Sequence, residues 1–178
     1  MPIFAELNLV FDFDPHLAVL KYDESHYYLT IIKPQPGGLD FVAVKNGVAP
    51  PTCWLIEVKD FRSPRGKPND TQLELVNLVE KKVRQTLAGL AEMAGDVEGA
   101  VDATEKAVAE LCLKAAGRRV VLHLEPFVGP EKIFKNVPNP SYVAQKLKPK
   151  LSDVDPNLVV TDIARTKKLN LPWTVYAK

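Results

Sequence analysis

Apolar residues recur along this chain with two different periods, and turn-forming residues divide them into segments. Leu7 to Phe13 is apolar and β-favouring, and Asp14-Pro15 marks a turn or the start of a short helix. Leu17 to Tyr22 fits either a strand or a helix. Asp23 to Ile32 is equally open: Asp23 or Ser25 would cap a short helix, whereas Tyr27 to Ile32 has strand composition. Pro34-Gln35-Pro36-Gly37-Gly38 predicts a tight connection into a strand over Leu39 to Lys45. Asn46-Gly47, extended by Pro50-Pro51, predicts a turn, and Cys53 to Phe61 the returning strand of a hairpin. Ser63 to Asp70 reads as a polar loop.

The period then changes. Thr71 with Glu74 three residues on is a capping box, and Val76, Val79, Val83, Leu87 and Leu90 follow at steps of three and four. That spacing predicts an amphipathic helix packed on a sheet. Val97, Val101, Val108 and Leu111 predict a second helix ending near Gly117. Val120 to Leu124 is apolar on both faces, as in a central strand covered on both sides. Pro140-Ser141 starts another helix, broken by Pro149, and Leu158 to Ile163 and Trp173 to Tyr176 read as short closing strands. The expected architecture is a mixed α/β sandwich, one domain over residues 1–178.

Composition narrows the function only a little. With 178 residues, 46% hydrophobic and 25% charged, the chain is long enough to bury its own core. A formal net charge of +1 argues against a uniformly basic protein that coats nucleic acid, and leaves room for local phosphate contacts. Cys53 and Cys112 belong to no CxxC or Cys/His cluster, so they are expected to be free buried thiols. Neither a cleavable leader nor a membrane-spanning run is evident, and a reducing cytoplasm is the expected location.

The chemistry is concentrated in the hairpin. Residues two apart on a strand share a face, so Glu57 and Lys59 project together while Ile56 and Val58 point into the opposite layer. A buried charge is costly unless it is paired or holds a metal. Pairing of the two strands brings Asp40 within reach of Glu57. Two carboxylates and a neighbouring carbonyl, that of Val58, are hard oxygen ligands suited to Mg²⁺ or Mn²⁺. Lys59 beside them would steady an attacking water or the charge developing on a phosphate.

This arrangement resembles the PD-(D/E)xK nuclease superfamily, well over about residues 20 to 90 and in outline elsewhere. Asp40 matches the motif's aspartate, Glu57 its second acid and Lys59 its lysine; Leu39 stands where the motif's name has proline. The resemblance implies a restriction-endonuclease-like mixed central sheet flanked by helices, with Asp40, Glu57 and Val58 on the metal and Lys59 assisting catalysis. It also implies a role for Gln72 at the start of the following helix, and a further acid from Glu6, Asp23 or Glu24. The implied function is metal-dependent phosphodiester hydrolysis of nucleic acid, DNA ahead of RNA, in a defence or repair setting. A homodimer or larger complex is a further expectation from the family. The competing expectations are a catalytically inactive nucleic-acid-binding module on the same fold and a protein-interaction component.

Weaker signals surround this core. Arg62, Arg65 and Lys67 lie just beyond Lys59 and would suit a phosphate-gripping loop. Lys132, Lys135, Lys146, Lys148 and Lys150 form a second basic zone, expected to be a solvated face, and Glu92 to Glu110 is acidic by contrast. His26 near Tyr27 and Tyr28 could line a pocket, with a packed aromatic cluster the preferred reading, and His123 reads as a satisfied core histidine. No Ser-His-Asp order or phosphate-binding glycine loop is present.

Overall fold

The structure, a computed structural model, describes residues 2–32, 37–45, 51–62, 71–126 and 138–178. The expected turn at Asn46-Gly47, the polar loop of residues 63–70 with Arg65 and Lys67, and Lys132 and Lys135 lie outside them.

Two sheets and several helices make a mixed α/β arrangement. Strands β3 (Leu17–Lys21), β4 (Phe41–Lys45), β5 (Thr52–Asp60), β6 (Gly117–Glu125) and β7 (Val159–Thr161) form one sheet in that order. β3, β4 and β5 run antiparallel; β5–β6 and β6–β7 are parallel. The parallel pairs need long crossovers. Helices α1 (Gln72–Gly95) and α2 (Ala103–Leu113) supply the first, and α3 (Pro140–Lys150) the second. A second, antiparallel sheet joins β1 (Ile3–Glu6), β2 (Leu9–Phe13) and β8 (Trp173–Ala177).

The period-2 alternation of β4 and β5 assigns their two faces to two cores. Val42, Val44, Cys53 and Leu55 pack with the apolar stripes of α1, α2 and α3. Phe41, Ala43, Ile56 and Val58 pack instead against Leu9, Phe11, Phe13, Trp173 and Val175 of the smaller sheet. The five-stranded sheet is therefore sandwiched between helices on one side and three strands on the other. α1 starts as its sequence predicts: Thr71 and Glu74 form both halves of the capping box, and Val76, Val79, Val83 and Leu90 are fully buried. Each such side chain contributes about 1.5–3 kcal/mol.

Several expectations need correction. Leu7 to Phe13 is not one strand: Leu7 takes a left-handed backbone (φ 54°) and, with Asn8, turns β1 into β2. Leu17 to Lys21 resolves as a strand. The open segment after it holds a 3-10 turn (Tyr22–Glu24) and a π-helical turn (Tyr28–Ile32). The second helix starts at Ala103, because Asp102 accepts from the Thr104 and Glu105 N–H groups as its cap. Val97 is consequently 96% exposed, outside any helix, whereas Val101 is buried. Ile163 opens a short helix, α4 (Ile163–Thr166), rather than closing β7.

The cysteines are not free. Cys53 on the helix-facing side of β5 and Cys112 on the sheet-facing side of α2 form a disulfide, with Cα atoms 5.1 Å apart. Their separation of 59 residues concealed the pairing; the crossover brings them together. Disulfides are rare in a reducing cytoplasm, so that location loses the support free thiols gave it. Among the described residues, no helix is long and apolar enough to cross a membrane.

Candidate functional site

Glu57 and Lys59 share the helix-facing side of β5, as period 2 requires, and their side chains meet at 2.8 Å. Glu57 is 1% exposed and also receives Lys82 of α1, whose Nζ lies 2.8 Å from Oε1 and 3.0 Å from Oε2. Burial alone would lower the Lys82 pKa, but the Glu57 and Asp40 charges, the hydrogen bond to Glu57 and the Asp23 charge together hold the ammonium above its ordinary value. Lys82 was not anticipated. Its signal was present: it stands three residues after Val79 and four before Thr86, on the buried stripe where lysine is out of place.

Asp40 lies just before β4 and is gripped on two sides. Its Oδ2 accepts from the Val58 N–H at 2.5 Å, and its carbonyl accepts from the Tyr22 N–H at 2.9 Å. The preceding Leu39 N–H donates to Thr86 Oγ1 of α1 at 2.9 Å. These bonds hold the residue in register with β5 and α1 together. Val58 therefore meets Asp40 through its N–H.

The β1–β2 hairpin and the 3-10 turn bring two more acids. Carboxylate oxygens of Glu6, Asp23 and Asp40 lie within 4.8 Å of one another. Of the three candidates for the additional acid, Glu6 and Asp23 thus join the site, while Glu24 points its exposed side chain to Lys21. Lys21 also pairs with Glu6, at 3.1 Å. Asp23 Oδ1 is buried with no hydrogen-bond partner. Burial, then the charge of Glu57, pushes Asp40 up to about 8 despite Lys82 and the Val58 N–H; burial, then Glu6, pushes Asp23 up to about 6.

The donor set fits a hard divalent cation. All three groups are carboxylates, and oxygens that share one ion at about 2.0–2.6 Å lie no more than roughly 5 Å apart. Among the described residues, Glu57 stands next to this group rather than in it, with both its oxygens on lysines.

Other expected contributors lie elsewhere. Gln72 accepts the Asn139 N–H at 3.1 Å and so ties the start of α1 to that of α3. Arg62 forms a two-point ion pair with Asp60, 2.9 Å at each contact, and Asp60 belongs to the opposite face of β5. Lys150 pairs with Glu80, and Lys146 lies over the Tyr142 ring. Within the acidic stretch, Glu105 is buried and accepts the His26 and Tyr27 N–H groups at 2.7 and 3.1 Å. His123 is half satisfied: Nε2 meets Glu125 at 2.8 Å, while Nδ1 is buried without a partner.

No family model, curated protein or solved structure matches this chain. Its functional reading rests on the geometry above.

Proposed function

We propose that this protein is a metal-dependent phosphodiesterase acting on nucleic acid, DNA ahead of RNA, with a restriction-endonuclease-like central sheet and a site of the PD-(D/E)xK type. One observation carries the reading: Asp40, just before β4, and the Glu57–Lys59 pair on the adjacent β5 converge with Glu6 and Asp23 at one end of a central sheet. Glu6, Asp23 and Asp40 would hold Mg²⁺ or Mn²⁺. A bound divalent ion supplies polarisation of a phosphoryl oxygen and a water of lowered pKa.

The chain's own residues do the rest. The Val58 N–H and Thr86 fix Asp40 so that little reorganisation is needed when phosphate arrives. Glu57 orients Lys59, whose partly exposed ammonium can meet the attacking water or the charge growing on the phosphoryl oxygens. Lys82 holds Glu57 from behind, and no metal is required for that contact.

The lysine bridge to both oxygens of Glu57 favours a second reading, a binding module that has lost catalysis. The deciding test is cleavage of plasmid, single-stranded DNA and RNA with Mg²⁺, Mn²⁺ or chelator. Lys59→Ala and Glu57→Gln should each lower metal-dependent cleavage by roughly 100-fold or more. Folded protein that retains nucleic acid yet cleaves nothing with either metal would leave the binding module standing.

A further inference from the structure

Beside the carboxylates lies a cavity of about 300 Å³, lined in part by Tyr22, Tyr28, Gly38, Gln85, Gly89 and Glu92. The chain itself couples the two places. Tyr22 immediately precedes Asp23 and donates its N–H to the Asp40 carbonyl; Gly38 lies two residues before Asp40. The cavity and the carboxylates are therefore built from the same two chain segments.

The lining has a definite chemical character. The Tyr22 and Tyr28 rings have centroids 5.6 Å apart at an interplanar angle of 52°, giving an aromatic wall. Tyr22 is 1% exposed, yet its hydroxyl has no hydrogen-bond partner, and neither has the buried Oε1 of Gln85. Buried polar atoms are nearly always satisfied, so two on one cavity point to a ligand that satisfies them. Two glycines shape this wall. A Cβ on Gly38 would come within 2.9 Å of both tyrosine rings, and one on Gly37 within 1.6 Å of Gln85 Oε1. The Gly37 and Gly38 N–H groups donate to the Tyr28 hydroxyl at 3.1 and 3.3 Å, which sets that ring in place. Among the described residues, the lining holds the Glu92 carboxylate and neither lysine nor arginine, which disfavours a phosphate there.

We propose that this cavity receives one nucleobase of the strand whose phosphodiester lies at Glu6, Asp23 and Asp40. The inference rests on the phosphodiesterase reading and names the part of the substrate that reading leaves open. Bases removed from the stack are read by aromatic contact and by hydrogen bonds to their polar edge. The tyrosine rings offer the first, and the Tyr22 hydroxyl and Gln85 Oε1 the second. Because Gln85 Oε1 and Glu92 accept hydrogen bonds, a base bearing an amino group is favoured over one whose edge is mainly carbonyl.

The test uses the full chain and a single strand carrying one 2-aminopurine, titrated in Ca²⁺ and followed by fluorescence. Cleavage of ordinary and abasic strands and of bis(4-nitrophenyl) phosphate, in Mg²⁺ or Mn²⁺, runs alongside. Gln85→Ala removes the acceptor, and Ala88→Trp fills the cavity from an exposed helix position. The proposal expects a saturable fluorescence change in the parent protein. Both variants should weaken it about tenfold, with cleavage of the ordinary strand falling in step and hydrolysis of the small ester unchanged. Equal cleavage of ordinary and abasic strands, with no fluorescence response, overturns the base pocket and leaves the phosphodiesterase reading intact. Saturable base binding that both variants lose, with no hydrolysis of any ester, upholds the pocket and overturns the catalytic reading. Neither binding nor hydrolysis overturns both.

Discussion

Two groups of buried acids occupy the same end of β5, one on each face, and they are held in opposite ways. On the helix side, Glu57 is clamped by Lys59 and Lys82, while Asp40 and Asp23 are pushed above the ordinary carboxylate range. On the sheet side, burial would raise Asp60 and Glu125 too, but hydrogen bonds reverse it. Arg62 with Asn8 holds Asp60 below its ordinary value, and His123 with the Ile163 N–H does the same for Glu125. The β1–β2 turn serves both sides, sending Glu6 to one and Asn8 to the other. Burial is therefore not what separates them. The sheet-side carboxylates have their donors in place, and the atom left over there is His123 Nδ1, whereas the helix-side group is short of positive charge and the atom left over is a carboxylate oxygen, Asp23 Oδ1. Perturbation of this second kind is what functional sites are built to produce.

The largest expected contrast is in cleavage. Glu57→Gln should lower metal-dependent turnover by roughly 100-fold or more, while Glu125→Gln leaves turnover per folded molecule near that of the parent. Equal losses would erase the distinction between the faces.

Next in size is stability. Arg62→Ala leaves Asp60 buried without its cation and should cost about 3 kcal/mol in denaturant unfolding, with cleavage by the folded fraction preserved. A loss of cleavage at unchanged stability would instead place Arg62 at the phosphate.

A third contrast is a pH slope in the metal-free protein. Asp40 and Asp23 titrate higher folded than unfolded, so between the ordinary value of 3.8 and about 8 for Asp40, and about 6 for Asp23, the native state binds more protons. Raising pH through that window must lower stability. The melting temperature should therefore fall from pH 5 to pH 8, Asp40→Asn should flatten the fall, and Mg²⁺ should stabilise more at pH 8 than at pH 5. The sheet side has the opposite sign: Asp60 and Glu125 contribute stability above their unfolded values, which is lost as pH drops through the lower folded ones. A flat profile at the alkaline end would remove Asp40 from the charged group.

Much of the arrangement was legible because it depends on local periodicity. Glu57 and Lys59 share a face by strand geometry alone, and Asp40 reaches them through the antiparallel register Phe41↔Ile56. α1 announced itself through its cap. What stayed hidden depends on contacts distant in sequence. Glu6 reaches the site only because Leu7 adopts a left-handed backbone and folds β1 back, while β8, from the far end of the chain, completes that sheet. Tyr28 read as part of a packed aromatic cluster, and Tyr22 only as the end of a segment; a crossing helix supplies Gln85 and makes a cavity of them. The two cysteines gave no local sign of pairing because the parallel crossover sets their proximity.

That disulfide makes the middle of the chain a closed ring. It joins the first residues of β5 to the last turn of α2, so α1, with Lys82, lies inside the loop between Cys53 and Cys112. A backbone cut within the ring, for instance at the exposed Val97 between the two helices, opens it without releasing a fragment. After limited proteolysis there, the protein should migrate as one species on a non-reducing gel and as two once the bridge is reduced. The two pieces stay tethered at Cys53, four residues before Glu57, so the strand carrying the proposed chemistry remains joined to the helices that cover it.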